Sequence, residues 1–394
     1  MMRPLNPALT QTFLPPVMEA RRWLEGVQFA PERPLINVSQ AAPVAPPPED
    51  LRRVIAEAAM NLPEAHLYGP VMGHPELRQE VADAFSLPGV VLDASQVAIT
   101  QGCNQAFCAA IAALAGQGDE VILPTPWYFN HKMWLDMAGV RAVPLPCREG
   151  MLPDPEEAAR LITDRTHAIV LVTPNNPTGA EYPQGLVAAF HDVATRAGVT
   201  LIVDETYRDF DSRSGPVHDL RAREGARVVQ LYSFSKAYRL TGHRVGALIA
   251  DAEFMIQIEK FLDTVAICPN QLGQIGALWG MRNLGDWVQG ERAEILTRRA
   301  ATMDRLGAIP GWTLKSAGAY FAWLEHPFAE ASDNLARRMV REVGVLALPG
   351  TMFTPDHDPQ GARHLRIAFA NVDADGIAGL SDRLAGLVAD VHAS

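Results

Sequence analysis

Seven short apolar runs, none alternating inward and outward, constrain this chain more than any other feature of its sequence. They occupy 97–100, 120–123, 140–145, 168–172, 200–203, 228–232 and 245–249. A strand with one wet face alternates, whereas a run apolar throughout is what a strand buried on both faces looks like. Helical spacing at 104–115, 130–138, 155–162 and 185–197 separates most of the runs. Strand–helix alternation of this kind means crossover connections and a mostly parallel sheet. The expectation is an α/β fold: a large domain over 49–275 with a mostly parallel seven-stranded sheet flanked by helices.

The two ends read differently. Residues 1–48 carry Pro15-Pro16 and then Pro43, Pro46, Pro47 and Pro48, with a short strand-like piece at 35–38. Proline fixes φ and withholds a donor, so this stretch reads as an extended arm contributing to a small domain. Residues 276–394 mix a long helical segment at 287–306, a strand-like 314–324, a helix at 335–343, strands at 345–348 and 364–370 and a terminal helix. They read as a smaller α+β domain.

Composition narrows the class. The 394 residues carry 34 Lys and Arg against 45 Asp and Glu, a formal charge of −11. An acidic chain argues against a nucleic-acid partner, which wants a basic face. Cys103, Cys108, Cys147 and Cys268 show no C-x-x-C spacing, which reads as a reduced, cytoplasmic protein. The most apolar helical stretch, 106–115, is half the length needed to span a bilayer, so no membrane is expected. Thr354-Pro-Asp-His357-Asp-Pro359 looks like a solvated loop, and no histidine has metal-ligand spacing, so no metal is expected.

The chemistry sits where strands end, which is where ligands sit on open α/β sheets. The run 200–203 ends in Asp204-Glu205-Thr206-Tyr207; 168–172 leads into Thr173-Pro-Asn-Asn176-Pro-Thr-Gly179; 228–232 leads into Ser233-Phe-Ser-Lys236, with Arg244 eight residues on. Singly, each has a plain reading: Asp204 as a helix cap, Lys236 as a solvated lysine, Asn176-Pro-Thr-Gly179 as a turn. Their order and spacing point elsewhere. Gly102-Cys103-Asn104 follows the first run and opens an apolar helix, and a helix N-terminus is an anion site by geometry.

On Asn-Pro-Thr-Gly (176–179), Asp-x-x-Tyr (204–207), Ser-x-Ser-Lys (233–236), Arg244, Tyr68-Gly69, the Gly102 turn, Trp127 and Arg366, the sequence resembles the class I and II aminotransferases, pyridoxal-phosphate enzymes of fold type I. The resemblance spans nearly the whole chain. It implies that Lys236 forms the Schiff base with pyridoxal 5'-phosphate and shuttles a proton, aided by a lowered amine pKa. It implies that Asp204 pairs with the pyridine nitrogen and that Asn176 and Tyr207 hydrogen-bond the ring oxygen. Gly102, Cys103, Asn104, Ser233 and Arg244 would hold the phosphate, and Trp127 would stack on the ring. Tyr68 would reach the phosphate of a neighbouring subunit, implying a homodimer with shared active sites and an arm that serves it.

Arg366 matches the arginine that clamps a substrate α-carboxylate, where a planar guanidinium gives a fixed orientation. In a strand at 364–370, His364 shares its face and Arg363 lies opposite. Where many relatives carry Gly-x-Pro near that carboxylate, this chain reads Gln40-Ala41-Ala42-Pro43, so Ala41 is expected to line a narrowed substrate site. His243 stands where Thr-Gly-Trp-Arg is commoner.

The reading that follows is a ping-pong aminotransferase passing an amino group from an α-amino acid to a 2-oxo acid. The alternative on the same fold is a carbon–sulfur β-lyase. A ligand-sensing regulator would need an added basic DNA-binding segment, which neither the arm nor the charge supplies. For the substrate side chain, Asn104 stands where some aspartate-specific relatives have lysine, and Arg282 and Arg292 are too loosely placed to choose between them.

Overall fold

The computed structural model describes residues 3–393 other than 41, 43, 214 and 357. Ala41 and His357 therefore lie outside the described residues. After the arm strand β1 (Ile36–Asn37), the main sheet is built from β2 (Val97–Thr100), β3 (Glu120–Thr125), β4 (Arg141–Pro146), β5 (Thr166–Val172), β6 (Thr200–Asp204), β7 (Val228–Ser233) and β8 (Gly246–Ile249). Its order is β2-β8-β7-β6-β5-β3-β4. β8 runs antiparallel to both neighbours, and every other pairing is parallel.

The apolar runs are explained by burial on both faces. Ile202 and Val170 pack with Phe107, Ile111 and Ile258 on one side. Their neighbours Leu201, Val203, Ile169 and Leu171 pack with Val187, Phe190 and Val193 on the other. The two-residue period of a strand is intact, but both faces meet helices, so no polar residue is called for. Within this sheet, among the described residues, exposed positions occur on the edge strand β4 alone.

The remaining strands are β9 (Thr313–Gly318), β10 (Phe321–Glu325), β11 (Val345–Leu346), β12 (Leu348–Pro349) and β13 (His364–Ile367). Four form an antiparallel sheet ordered β12-β13-β10-β9, and the fifth, β11, pairs in parallel with β1 of the arm. The arm is further tied by the Ala368 N–H donating to the Val38 carbonyl at 2.8 Å. The stretch expected as one piece at 314–324 is thus a hairpin. The strand expected to reach 370 ends at Ile367, where the chain turns into a short 3-10 helix, Phe369–Asn371.

The change expected at 275/276 falls inside the helix Gln271–Asn283. That helix packs against Glu49–Asn61, and a Cβ on Gly276 would come within 2.8 Å of the Ile55 side chain. Its face joins Leu51, Ile55, Val97 and Ile99 in one core.

Candidate active site

The carboxyl ends of β2, β5, β6 and β7 converge on a cavity of about 200 Å³. β6 delivers Asp204 at its last position. β7 ends at Ser233, whose hydroxyl caps the four-residue helix Phe234–Ala237 carrying Lys236. The loop after β5 brings in Asn176. β2 leads through Gly102 into the helix Cys103–Leu114, whose first turn has no side-chain cap. Arg244, in left-handed conformation after the turn Thr241–His243, closes the wall.

Two close approaches make this arrangement depend on glycine. Gly102 has φ +83°, and a Cβ there would lie 2.2 Å from Nη2 of Arg244. Only glycine lets a guanidinium sit against the helix opening. Gly179, with φ +75°, would place a Cβ 2.4 Å from the Phe321 carbonyl. The Asn176–Gly179 loop is thereby seated on the β9–β10 hairpin, where Ser316 also donates to the Thr178 carbonyl at 2.6 Å.

The electrostatics suit an amine and a carboxylate held in opposite states. Burial, with Arg366 and Arg244 nearby, lowers the Lys236 amine from 10.5 to about 8. Burial pushes the Asp204 carboxyl up, but His131 and Thr206 outweigh it, and the group sits below the usual carboxylate range. The Thr206 N–H donates to Asp204 Oδ1 at 2.9 Å, and His131 Nε2 lies 3.3 Å from Oδ2. The Cys103 thiol is 3.7 Å from Oδ1, and burial raises its pKa well above the ordinary value, so it is a packed neutral group. Burial and Tyr128 raise Tyr207, whose hydroxyl stays protonated at neutral pH.

A second chamber of about 360 Å³ shares Tyr128, Asn176, Tyr207, Ser235, Lys236 and Arg244 with the first and reaches Arg366. Arg366 is 2% exposed. Its Nη1 donates to Asn176 Oδ1 at 3.0 Å and its Nη2 to the Ser39 carbonyl, while Nε has no partner. Phe321 and Phe353 pack on the guanidinium at 5.0 and 4.9 Å. Burial lowers its pKa to about 10, which still leaves it charged at neutral pH.

Several sequence expectations are placed differently. Trp127 does not line the cavity; its buried side chain faces a separate pocket formed with Phe13, Lys132 and Met352. Tyr128 lines both chambers instead. The alternation of a strand-like exit sends adjacent aromatics to opposite sides. Tyr68 is 80% exposed and does not line this chain's own cavity. His364, although on the face of Arg366, stacks on Trp323 and opens to another groove, and Arg363 binds the Phe328 carbonyl. His131 went unrecognised by sequence reasoning. Its only signal was its position in the first turn after the Pro-Trp-Tyr exit of β3.

Among the described residues no cluster of three His, Cys, Asp or Glu side chains is placed to hold a metal. No described helix is long and apolar enough to cross a membrane.

A half-buried lysine just past one strand end and a buried carboxylate at the next, beside an uncapped helix N-terminus on a seven-stranded sheet with one antiparallel strand, define a pyridoxal-phosphate enzyme of fold type I. The chain belongs to the aminotransferase class I and II family, whose sequence model matches residues 33–384. It is similar to an aspartate aminotransferase of Pyrococcus horikoshii, 28% identical over 310 residues that cover 77% of this chain and 78% of the relative. It is also similar to an aspartate/prephenate aminotransferase of Thermus thermophilus, 28% identical over 338 residues, 82% of each chain. The solved structure of Thermus thermophilus aspartate aminotransferase with maleate superposes with a TM-score of 0.87 at 25% identity, covering 98% of this chain and 100% of that one. The protein is thus an aminotransferase, and its family uses pyridoxal 5'-phosphate. The residues present fit that group: an amine of lowered pKa, an ionised carboxylate, a helix N-terminus with Arg244 for the phosphate, and an aromatic wall in Tyr128.

Proposed function

We propose that the enzyme moves an amino group between an α-amino acid and a 2-oxo acid by a ping-pong route, with Lys236 as the covalent anchor and proton carrier. The observation that carries this is the Lys236 side chain, half-buried and lining both chambers, with Asp204 and Arg244 on one side and Arg366 on the other. When bound, the cofactor supplies an electron sink for the negative charge left as the substrate Cα loses its proton.

The chain's own residues do the rest. Arg366 holds the α-carboxylate through its fork and fixes which Cα substituent faces Lys236. Lys236, with a pKa lowered to about 8, takes the proton from the substrate Cα and would deliver it to C4′ of the cofactor. Asp204, kept ionised by His131 and Thr206, would hold a proton on the pyridine nitrogen. Asn176 and Tyr207 would bind the ring oxygen. Ser233, Arg244 and the amides of Cys103 and Asn104, opened by Gly102, would take the phosphate. Tyr128 would cover the ring. Ala41 would line the substrate site beside Gln40 and Ala42.

The reading includes a homodimer. Leu67, Tyr68, Val265 and Ile267 are 64, 80, 57 and 45% exposed, and the Gly69 N–H contacts Cys268 Sγ at 3.4 Å, which joins the two segments into one apolar patch. A patch of this kind supports a partner surface, from which Tyr68 would enter the second subunit's site. Four free thiols support a reducing, cytoplasmic setting.

The named relatives are aminotransferases, which favours transamination over β-elimination. The test is to give the enzyme an amino acid alone. One equivalent of 2-oxo acid per active site, resuming only when a second 2-oxo acid is added, supports the reading; sustained pyruvate and ammonia from a cysteine conjugate contradicts it. Arg366→Lys should raise KM for amino acids about 100-fold while cofactor absorbance is retained.

A further inference from the structure

The helix Pro16–Arg22 begins at the wall of the larger chamber, to which it contributes Pro16 and Val17, and it ends in two arginines. Arg22 is paired with Glu19. Arg21 has no carboxylate partner among the described ion pairs, and its Nη2 donates to the side-chain carbonyl Oε1 of Gln40 at 2.6 Å. Gln40 itself lines the chamber.

A neutral amide is a weak partner for a guanidinium. A carboxylate offers two oxygens and an opposite charge to the same fork, so it can add a second parallel hydrogen bond that the amide oxygen cannot match. An arginine held on an amide at the edge of a substrate chamber is placed to exchange that amide for a carboxylate.

The connectivity sets the distance. Gln40 follows Ser39, whose carbonyl accepts from Arg366 Nη2. The Ser39-Gln40 dipeptide therefore bridges the two guanidinium groups, and bond lengths limit their separation to about 12 Å. A five-carbon dicarboxylic acid with a hydrogen bond at each end reaches about that limit. Lys236, Arg244 and Arg366 are the charged residues lining the chamber among the described ones, and the arm contributes Pro15, Pro16, Val17, Gln40 and Ala42 without a charge.

We propose that Arg21 reads the distal carboxylate of a five-carbon dicarboxylic substrate, a 2-oxo acid and its amino acid, by displacing the Gln40 amide. Neutral substrates leave the Arg21–Gln40 bond in place, so both halves of the exchange use one chamber. The proposal rests on the aminotransferase reading and adds the substrate class to it.

The test uses holoenzyme loaded with an amino group by a neutral amino acid, then mixed with 2-oxoglutarate or with pyruvate. In Arg21→Gln the ratio of kcat/KM for 2-oxoglutarate over pyruvate should fall at least about 10-fold. Arg21→Lys should recover part of it, and Gln40→Ala, which removes the competing amide, should raise it. An unchanged ratio in Arg21→Gln, with both acceptors still reacting, overturns the proposal and leaves the aminotransferase reading standing. Failure of the unmodified enzyme to react with either acceptor overturns both.

Discussion

His131 Nε2 and Asp204 Oδ2 stand 3.3 Å apart, with both side chains 4% exposed or less. The imidazole is stacked on Phe107 at 3.8 Å, which fixes its plane. A helix facing the sheet thus aims a hydrogen-bonding ring at the carboxylate that ends β6. The consequence is a carboxylate that stays ionised in a place where burial alone would neutralise it.

His131→Phe keeps the stack and removes the hydrogen bond. Asp204 is held below its ordinary pKa, so losing His131 makes it take a proton at higher pH. The acid limb of the kcat/KM profile should move up by about one unit, with kcat about 10-fold lower at neutral pH. An unmoved acid limb would separate Asp204 ionisation from His131.

Lys236 gives a prediction on the alkaline side. Its folded pKa is about 8 against 10.5, so the native amine is neutral above about pH 8 while the unfolded one is still charged. Uptake of pyridoxal phosphate by the apoenzyme, which needs the neutral amine, should rise with pH through about 8. Apoenzyme stability should rise between pH 8 and 10.5, because there the unfolded state binds the extra proton. Arg366→Gln removes a like charge and should move the uptake midpoint upward. A midpoint unaffected by that change would leave burial and Arg244 as the causes.

Gly102→Ala tests the phosphate end. The new methyl meets the Arg244 guanidinium and the left-handed backbone adds about 1–2 kcal/mol of strain. Cofactor affinity should drop at least about 10-fold, read by equilibrium dialysis, with the far-ultraviolet circular dichroism of the apoenzyme little changed. Retained affinity would mean that Arg244 can move without cost to phosphate binding.

The sheet was legible because burial on both faces leaves a mark that side-chain pattern alone reveals: each of the seven apolar runs lies on one of β2 to β8 within a residue or two. Lys236, Asp204 and Asn176 were legible because each stands at or just past a strand end, a position that sequence can locate. Tyr128 and Trp127 could not be assigned to sides, since adjacent residues leaving a strand diverge by half a turn. His131 was hidden because its role depends on the angle at which the helix Phe129–Ala138 crosses the sheet. The Arg21–Gln40 contact joins a helix end to an arm 19 residues on, a closure that no local pattern encodes. The helix Gln271–Asn283 crossed the expected change of domain because its partner, Glu49–Asn61, comes from the far end of the chain.

Lys236 as the anchor of the cofactor is open to direct test, because the chain has only four lysines: Lys132, Lys236, Lys260 and Lys315. Lys132 is paired with Asp136, Lys315 lies near Glu325, and Lys260 bonds Gln257. Borohydride reduction of the holoenzyme followed by peptide mass mapping should put the cofactor's mass on the peptide containing Lys236 and on no other. The cofactor found on another lysine, or on none, would contradict Lys236 as the anchor.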